Sequence, residues 1–311
     1  MNDTALVLTI AAAVGAAIPI ALAALGELLA ERSGVLNLGI EGMMLVGAVT
    51  AFLVGDGTGN LWLALVIGMA AAACLALVHA FLSVTLRANQ IVSGLALVIF
   101  GTGLATFIGK PIEGRPLATD LHRVRIGALA DIPVLGPVLF RQDPIVYATV
   151  ALAAAIAFYL NKTRPGLSLR AVGESPATAD STGLDVARTR YVHVLAGGAL
   201  AGAGGAYLIL AQVPSWSQAG TTSGLGWIAL ALVVFGSWNP WRVLFGALLF
   251  GLARRANFFL QDAGVSVPAE ILSMLPYALT IIVLVVWGSR DLRRRVGAPA
   301  SLGLAFARDE R

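Results

Sequence analysis

Between two long apolar runs, residues 26–44 read Gly-Glu-Leu-Leu-Ala-Glu-Arg-Ser-Gly-Val-Leu-Asn-Leu-Gly-Ile-Glu-Gly-Met-Met. Three carboxyl groups and one guanidinium (Glu27, Glu31, Arg32, Glu41) so close to membrane-length segments are costly unless they face protein, water or a passing solute. An ordinary interhelix loop could carry such charges, but it would not need an apolar run over 35–40 interrupted by Asn37 and Gly39. The pattern points to a gating or solute-facing role, with Asn37 and Glu41 as its hydrogen-bonding groups. Asn89, Gln90 and Ser93, at the head of a later apolar run, add amides and a hydroxyl. A second glycine-punctuated stretch, 224–240, contributes Trp227, whose ring could stack on a flat solute while amides bond its edges. Each residue also has a structural reading. Trp227 and Trp238 suit an interfacial belt, Asn37 and Asn89 suit helix caps or bridges, and Glu41 could pair with Arg32 or with another subunit.

Catalytic chemistry is not indicated. His79, His122 and His193 are scattered, and no Ser/His/Asp or paired-carboxylate arrangement recurs at helical spacing. The sole Gly-Lys pair, Gly109-Lys110, is followed by Pro111 and has Leu104 where a phosphate-binding loop needs its first glycine. The chain therefore lacks that means of binding ATP. Cys74 stands alone in an apolar run, so it can form neither an internal disulfide nor a cysteine metal cluster and is expected to be a small packing residue. No catalytic residue and no metal site is expected. Few ionisable groups fall clearly within apolar runs. His79 reads as a packed, hydrogen-bonded residue, and Arg254-Arg255 sit either mid-membrane or at a span boundary.

The elements that must position these groups are membrane helices. Of 311 residues, 58% are hydrophobic and 12% charged, with a mean hydropathy of +0.84, values of a polytopic membrane protein. The net charge of +4 comes from 21 basic residues against 17 acids. Those basic residues gather at segment ends, which favours a bilayer over nucleic acid as the partner. The first apolar run follows Asn2-Asp3-Thr4 with no basic region and no clear cleavage site, so it reads as a retained span. Candidate spans are 5–25, 36–54, 61–86, 90–108, 144–161, 191–212, 224–236, 242–260 and 270–288, nine in all with a short seventh. Arg290, Arg293, Arg294, Arg295, Arg308 and Arg311 place the C-terminus in the cytoplasm, and nine crossings then put the N-terminus outside. The basic connection 162–190 would be cytoplasmic, whereas 109–143 would be external despite its own basic residues. If 224–236 only dips into the bilayer, the parity changes. Small residues recur at packing spacing in Gly197, Gly198, Ala201, Gly202 and Gly205, and in Gly101, Ala105 and Gly109. No long hydrophilic domain interrupts the chain, which is expected to be one membrane domain over 1–311, all-α, with broken or short helices beside the solute path.

The connection 162–190 holds a local helix signal. Ser175 can cap, Pro176 suits the first turn and Gly183 can stop it, giving about two turns over 176–182. A short capped helix between spans is built to dock into a groove on another protein, unless it is only a solvated loop.

Three stretches resemble the membrane permease subunits of ABC importers for simple sugars and nucleosides, within the group that includes ribose and branched-chain amino acid permeases. The first, 26–44, is close to the pattern of the shorter permease in nucleoside importers. The second, 169–180, resembles the family's coupling helix, and the third is 224–240. Together with the matching span count, they cover nearly the whole chain, although Ser175 stands where an asparagine is common and Arg254-Arg255 has no clear counterpart. The resemblance implies a passive conduit in the bacterial cytoplasmic (inner) membrane, paired with a second, longer permease and fed by a lipid-anchored or periplasmic binding protein. It implies that separate cytoplasmic ATPases bind ATP and Mg, this chain holding no cofactor, and dock on Gly173, Glu174, Ser175, Pro176, Ala177, Ala179, Asp180, Gly183 and Leu184. A nucleoside is the leading solute, with a monosaccharide or branched-chain amino acid as alternatives. An ion-coupled secondary transporter is the rival from another class, and sparse mid-membrane acids speak against it.

Overall fold

The computed structural model describes residues 3–119, 121–217, 220–262 and 297–307, with three further single positions, 274, 278 and 281. Among them there are ten α-helices and no strand. Helix α1 (Asp3–Arg32) overruns the predicted 5–25. Residues 26–32 hold one glycine among Leu, Ala, Glu and Arg, all good helix formers, so nothing stops the helix before Ser33-Gly34. There Ser33 Oγ donates to the Ala30 carbonyl at 2.6 Å and Gly34 turns at φ +87°, a left-handed conformation open to glycine. Glu27, Glu31 and Arg32 therefore ride on a helix and not in a loop.

The chain continues through α2 (Ile40–Thr58), α3 (Leu61–Ala80), α4 (Gln90–Gly109), α5 (Pro144–Lys162), α6 (Arg164–Glu174), α7 (Pro176–Ser181), α8 (Val186–Tyr207), α9 (Leu225–Phe235) and α10 (Pro240–Asp262). Widened π turns prolong α3 to Thr85 and α8 to Gln212. Side-chain caps set most starts: Asn60 for α3, Asn89 for α4, Asp143 before Pro144 for α5, Thr163 for α6, Ser175 before Pro176 for α7 and Asp185 for α8. The short helix expected over 176–182 is α7, but α6 before it was not foreseen.

Among the described residues, six helices are long and apolar enough to cross a bilayer: Leu6–Arg32, Ile40–Thr58, Leu61–Thr85, Gln90–Ile112, Pro144–Lys162 and Val186–Gln212. The chain is a multi-pass membrane protein, and the expected nine spans are not confirmed. The candidate 242–260 falls in α10, and 270–288 lies outside the described residues but for three single positions. The candidate 224–236 is the 11-residue α9, roughly 16 Å long at 1.5 Å per residue. That is about half the hydrocarbon thickness.

Three helices form the centre, with α1, α2 and α8 buried over 61%, 72% and 72% of their apolar windows against 28–33% for α3, α4 and α5. Lipid is as apolar as leucine, so what holds these helices is close packing, and it requires small residues. A Cβ on Gly47 would lie 2.6 Å from Gly202 Cα, one on Gly26 2.6 Å from the Gly197 carbonyl, and one on Gly101 2.8 Å from Gly42 Cα. Gly101 of α4 and Gly197 and Gly202 of α8 are thus crossing points of close backbone approach, whereas Gly109 makes room for the Trp216 ring. Cys74, in contrast, is exposed on the outer face of α3, correcting its expected packing role.

The two ends of the bundle differ. At one end α6, α7 and residues 297–307 gather beneath the C-terminal end of α1, with Ser301 N–H donating to the Gly173 carbonyl at 3.0 Å and Gly303 N–H to the Gly34 carbonyl at 3.2 Å. The described residues of the 110–143 connection, loops with short 3-10 and π turns, cover the opposite end, where Gly114 N–H reaches the Trp216 carbonyl at 2.9 Å and Gln142 Nε2 the Ala11 carbonyl at 3.0 Å. In that cover Arg125 and Arg141 both bond exposed Asp131, and the Arg125 hydrogen bond holds its carboxyl below the ordinary range.

Candidate functional site

Residues 33–39 leave the α6–α7 end and enter the bundle as non-helical chain whose backbone groups are matched by neighbouring side chains. Leu36 N–H donates to Gln90 Oε1 at 2.8 Å, the Leu36 carbonyl bonds His79 Nε2 at 3.1 Å, and Asn37 N–H donates to Glu27 Oε1 at 2.9 Å. His79 Nδ1 in turn lies 3.0 Å from Ser93 Oγ. The Asn37 side chain accepts from Gly39 N–H at 2.9 Å and closes the turn into α2. Non-helical backbone survives at membrane depth only when protein satisfies it in this way.

The second break meets the first. Gly42 packs on Leu97 and Gly101, seven to eleven residues into α4, so the start of α2 lies about 10–16 Å inside the bundle. Beside it the Glu41 carboxylate accepts from Thr222 Oγ1 at 2.5 Å, Gly224 N–H at 3.0 Å and Gly226 N–H at 2.7 Å. Those donors form the N-terminus of α9, where free amides and the helix dipole favour a negative charge. The chain reaches Glu41 through a turn over 220–224 and continues as a half-length helix. Trp227, one residue past Gly226, is 40% exposed on this helix. Helix α9 then runs to the other end, where Trp238 Nε1 donates to Glu31 Oε2 at 2.6 Å and Arg32 Nη2 to the Trp238 carbonyl at 3.0 Å.

At that end the chain is tied to residues 297–307. Arg190, 1% exposed, donates to the Ser33 carbonyl at 3.2 Å, the Leu304 carbonyl at 3.1 Å and Ser301 Oγ at 3.4 Å. Ser301 Oγ also reaches the Gly173 carbonyl at 2.6 Å, and Arg32 Nη1 the Gly297 carbonyl at 3.1 Å. Helix α7 presents Ala177 outward and buries Ala179 against Val172 and Val186. Ser175 Oγ accepts from Thr178 N–H at 3.3 Å, and Gly183 ends the segment at φ +86°. Glu174 is exposed, with Ala300 N–H 3.4 Å from its Oε2.

Asn37, Gln90 and Ser93 therefore converge on the 33–39 link, and Glu41 joins that link to α9. Asn89 stands apart, exposed and engaged in capping α4. Of these groups, Gln90 Nε2 is a buried donor with no hydrogen-bond partner. Two structural readings are overturned. Glu41 bonds α9 and not Arg32, and Trp238 is 4% exposed, hence no belt residue. Glu27 and Glu31, 1% and 2% exposed one helical turn apart, are the carboxyl pair at helical spacing that sequence reading did not find. Thr222, Arg190 and Ser301 were also missed. Only Arg190, a charge beside an apolar run, carried a signal.

A family profile described as branched-chain amino acid transport system / permease component matches residues 9–284. The putative glucose ABC transporter permease protein TsgC13 of Haloferax volcanii is 41% identical, the match covering 96% of this chain and 97% of that protein. The guanosine ABC transporter permease protein NupQ of Bacillus subtilis is 38% identical over 91% of this chain and 93% of its own length. A second guanosine permease protein of the same species, NupP, is 29% identical over 90% of this chain but only 81% of its own. No solved structure matches. The broken, internally satisfied helices and these similarities agree, and the chain belongs to the branched-chain amino acid transport system permease family, the membrane subunits of ABC transporters.

Proposed function

We propose that this chain is the shorter of two permease subunits in an ATP-driven nucleoside importer. One observation carries the reading. The chain matches nearly the full length of one guanosine permease protein and a smaller share of the longer second one from the same species. A heterodimer with a longer permease follows. In that assembly α6 and α7 face the cytoplasm with the basic tail, and separate ATPases that bind ATP and Mg dock on the segment from Gly173 to Leu184. A binding protein delivers solute to the 110–143 end, beside which the first half of α1 lies.

The solute path runs along the two breaks. Trp227 offers a ring for stacking on a base, and Gln90 Nε2 offers an amide donor. Asn37, Ser93 and Glu41 line the path chiefly by holding its backbone, and Asn89 stands at its cytoplasmic mouth. Half-helix ends at mid-depth beside a solute route are a recurring transporter arrangement.

A monosaccharide is the second reading, favoured by the 41% identity to the putative glucose permease protein. Uptake of labelled guanosine, uridine and glucose by cells deleted for the transporter genes and complemented with them separates the two. Guanosine and uridine accumulation is expected. Glucose accumulation alone would replace the nucleoside reading. Uptake by this chain alone in vesicles under an ion gradient would end the ATP-driven reading.

A further inference from the structure

At the 110–143 end, the chain that leads into α9 is roofed by a second stretch of backbone. Gly114 N–H donates to the Trp216 carbonyl at 2.9 Å and Leu117 N–H to the Pro214 carbonyl at 2.7 Å, which sets 114–117 antiparallel to 214–216 with Pro116 opposite Ser215. The roof is anchored on the last turn of α2. Arg115 Nη2 donates to Asp56 Oδ2 at 3.1 Å, and buried Leu117 sits over Gly55, where a Cβ would lie 3.5 Å from Leu117 Cδ1. The same stretch follows from the end of α4 through the turn Lys110–Ile112. It therefore bridges the ends of α2 and α4 across the chain that enters the second break.

The Trp216 side chain is 1% exposed and lies directly on Gly109, where a Cβ would fall 2.1 Å from Nε1. Gly101, eight residues earlier on the same helix, is where α4 meets Gly42 at the start of α2. The ring thus stands about 12 Å from the meeting point of the two breaks, on the side of the 110–143 end. Its Nε1 is a buried donor with no hydrogen-bond partner. A buried indole normally has one, so packing alone holds this ring, and a position where water matches its N–H competes with the closed one. The roof over it is equally reversible. Its backbone groups exchange protein partners for water at small net cost, and the Arg115–Asp56 ion pair is exposed. The opposite end differs, because there buried Glu31 and Arg190 hold the chain through charged side chains.

We propose that the pairing of 114–117 with 214–216 is the outer gate of the solute path, that Trp216 is its plug, and that the two stretches separate to admit solute. Gly109 is the seat that lets the plug close. The inference rests on the reading of the chain as an importer fed at the 110–143 end, and it holds for a nucleoside or a sugar alike.

The test uses the full chain in its assembled transporter, with Cys74→Ala as background. Opposed residues of an antiparallel pair lie about 4.5–5.5 Å apart at Cα, within reach of a disulfide, so Pro116→Cys with Ser215→Cys can be oxidised to staple the gate shut. Uptake of guanosine and glucose should fall at least tenfold on oxidation and return on reduction, and neither single variant should respond to the oxidant. A second readout needs no uptake. Ala105 lies between Gly101 and Gly109 on the same face of α4 and is 1% exposed, so Ala105→Cys should react slowly with a membrane-impermeant thiol reagent added from outside. Adding Trp216→Ala should speed that labelling at least tenfold, with Trp216→Phe in between. The disulfide leaves the plug in place, so it tests the gate even where Trp216→Ala does not fold. The proposal is overturned if the stapled transporter takes up solute at the reduced rate, or if Ala105→Cys labels no faster in Trp216→Ala. If the reduced transporter carries neither solute, the importer reading fails, and the labelling of Ala105→Cys still decides the gate.

Discussion

Glu41→Gln isolates the contact that joins the two broken segments. In the protein, one carboxylate oxygen accepts from Thr222 Oγ1 and Gly224 N–H, and the other from Gly226 N–H. A glutamine of the same length has one acceptor, so either the first pair of donors or Gly226 must face an NH₂ group. Losing a charge-assisted bond and leaving a buried N–H unmatched costs on the order of 2–4 kcal/mol. Removing the negative charge from the helix terminus adds about 0.3–1 kcal/mol. A total near 3 kcal/mol is about a hundredfold in the opening equilibrium of the first turn of α9. Hydrogen exchange of a peptide covering 222–230, followed by mass spectrometry in detergent, reads that equilibrium directly. Exchange there should quicken by about two orders of magnitude while peptides from α3 and α5 are unchanged. Glu41→Asp, one methylene shorter, should fall between. If Glu41→Gln exchanges within twofold of wild type, the carboxylate is not what holds α9 at mid-depth.

Gly47→Val should prevent α2 from meeting α8, because even its Cβ would sit 2.6 Å from Gly202 Cα. The expected outcome is loss of a monodisperse species on size exclusion, and an unchanged elution profile and melting temperature would refute it. Ala177→Arg changes an outward residue of α7 and should leave stability within about 0.5 kcal/mol. It should nevertheless abolish ATP-driven uptake, so normal uptake would show that α7 is not the ATPase contact. Arg190→Met removes the donors to Ser33, Ser301 and Leu304 and should release residues 297–307. Proteolysis within that segment should accelerate at least tenfold, and equal digestion rates would mean that Arg190 does not hold it.

Local signals in the sequence carried furthest. Helix α7 could be read because Ser175, Pro176 and Gly183 act within one or two turns of themselves. The small residues of α4 and α8 could be read because helical spacing is a property of neighbouring positions. The end of α1 was misplaced because falling hydropathy marks where apolar residues stop, whereas the helix continues until Gly34 permits a turn. Cys74 was misjudged because a lipid-facing position and a packed one are equally apolar in sequence. The partners of the two breaks were invisible for a different reason. Leu36 meets His79 and Gln90 from 43 and 54 residues away, and Glu41 meets Gly226 from 185. Periodicity carries no information about such distant pairings. The sequence singled out the residues, and the fold assigned most of their polar atoms to backbone.

Arg190 places a demand on the order of synthesis. Its guanidinium is enclosed by Ser301 and Leu304, which emerge from the ribosome 111 and 114 residues after it. Until they do, a polypeptide already threaded into the bilayer carries a cation with two of its acceptors still unmade. Nascent chains stalled in that interval should be the ones that proteases of the membrane recognise and clear.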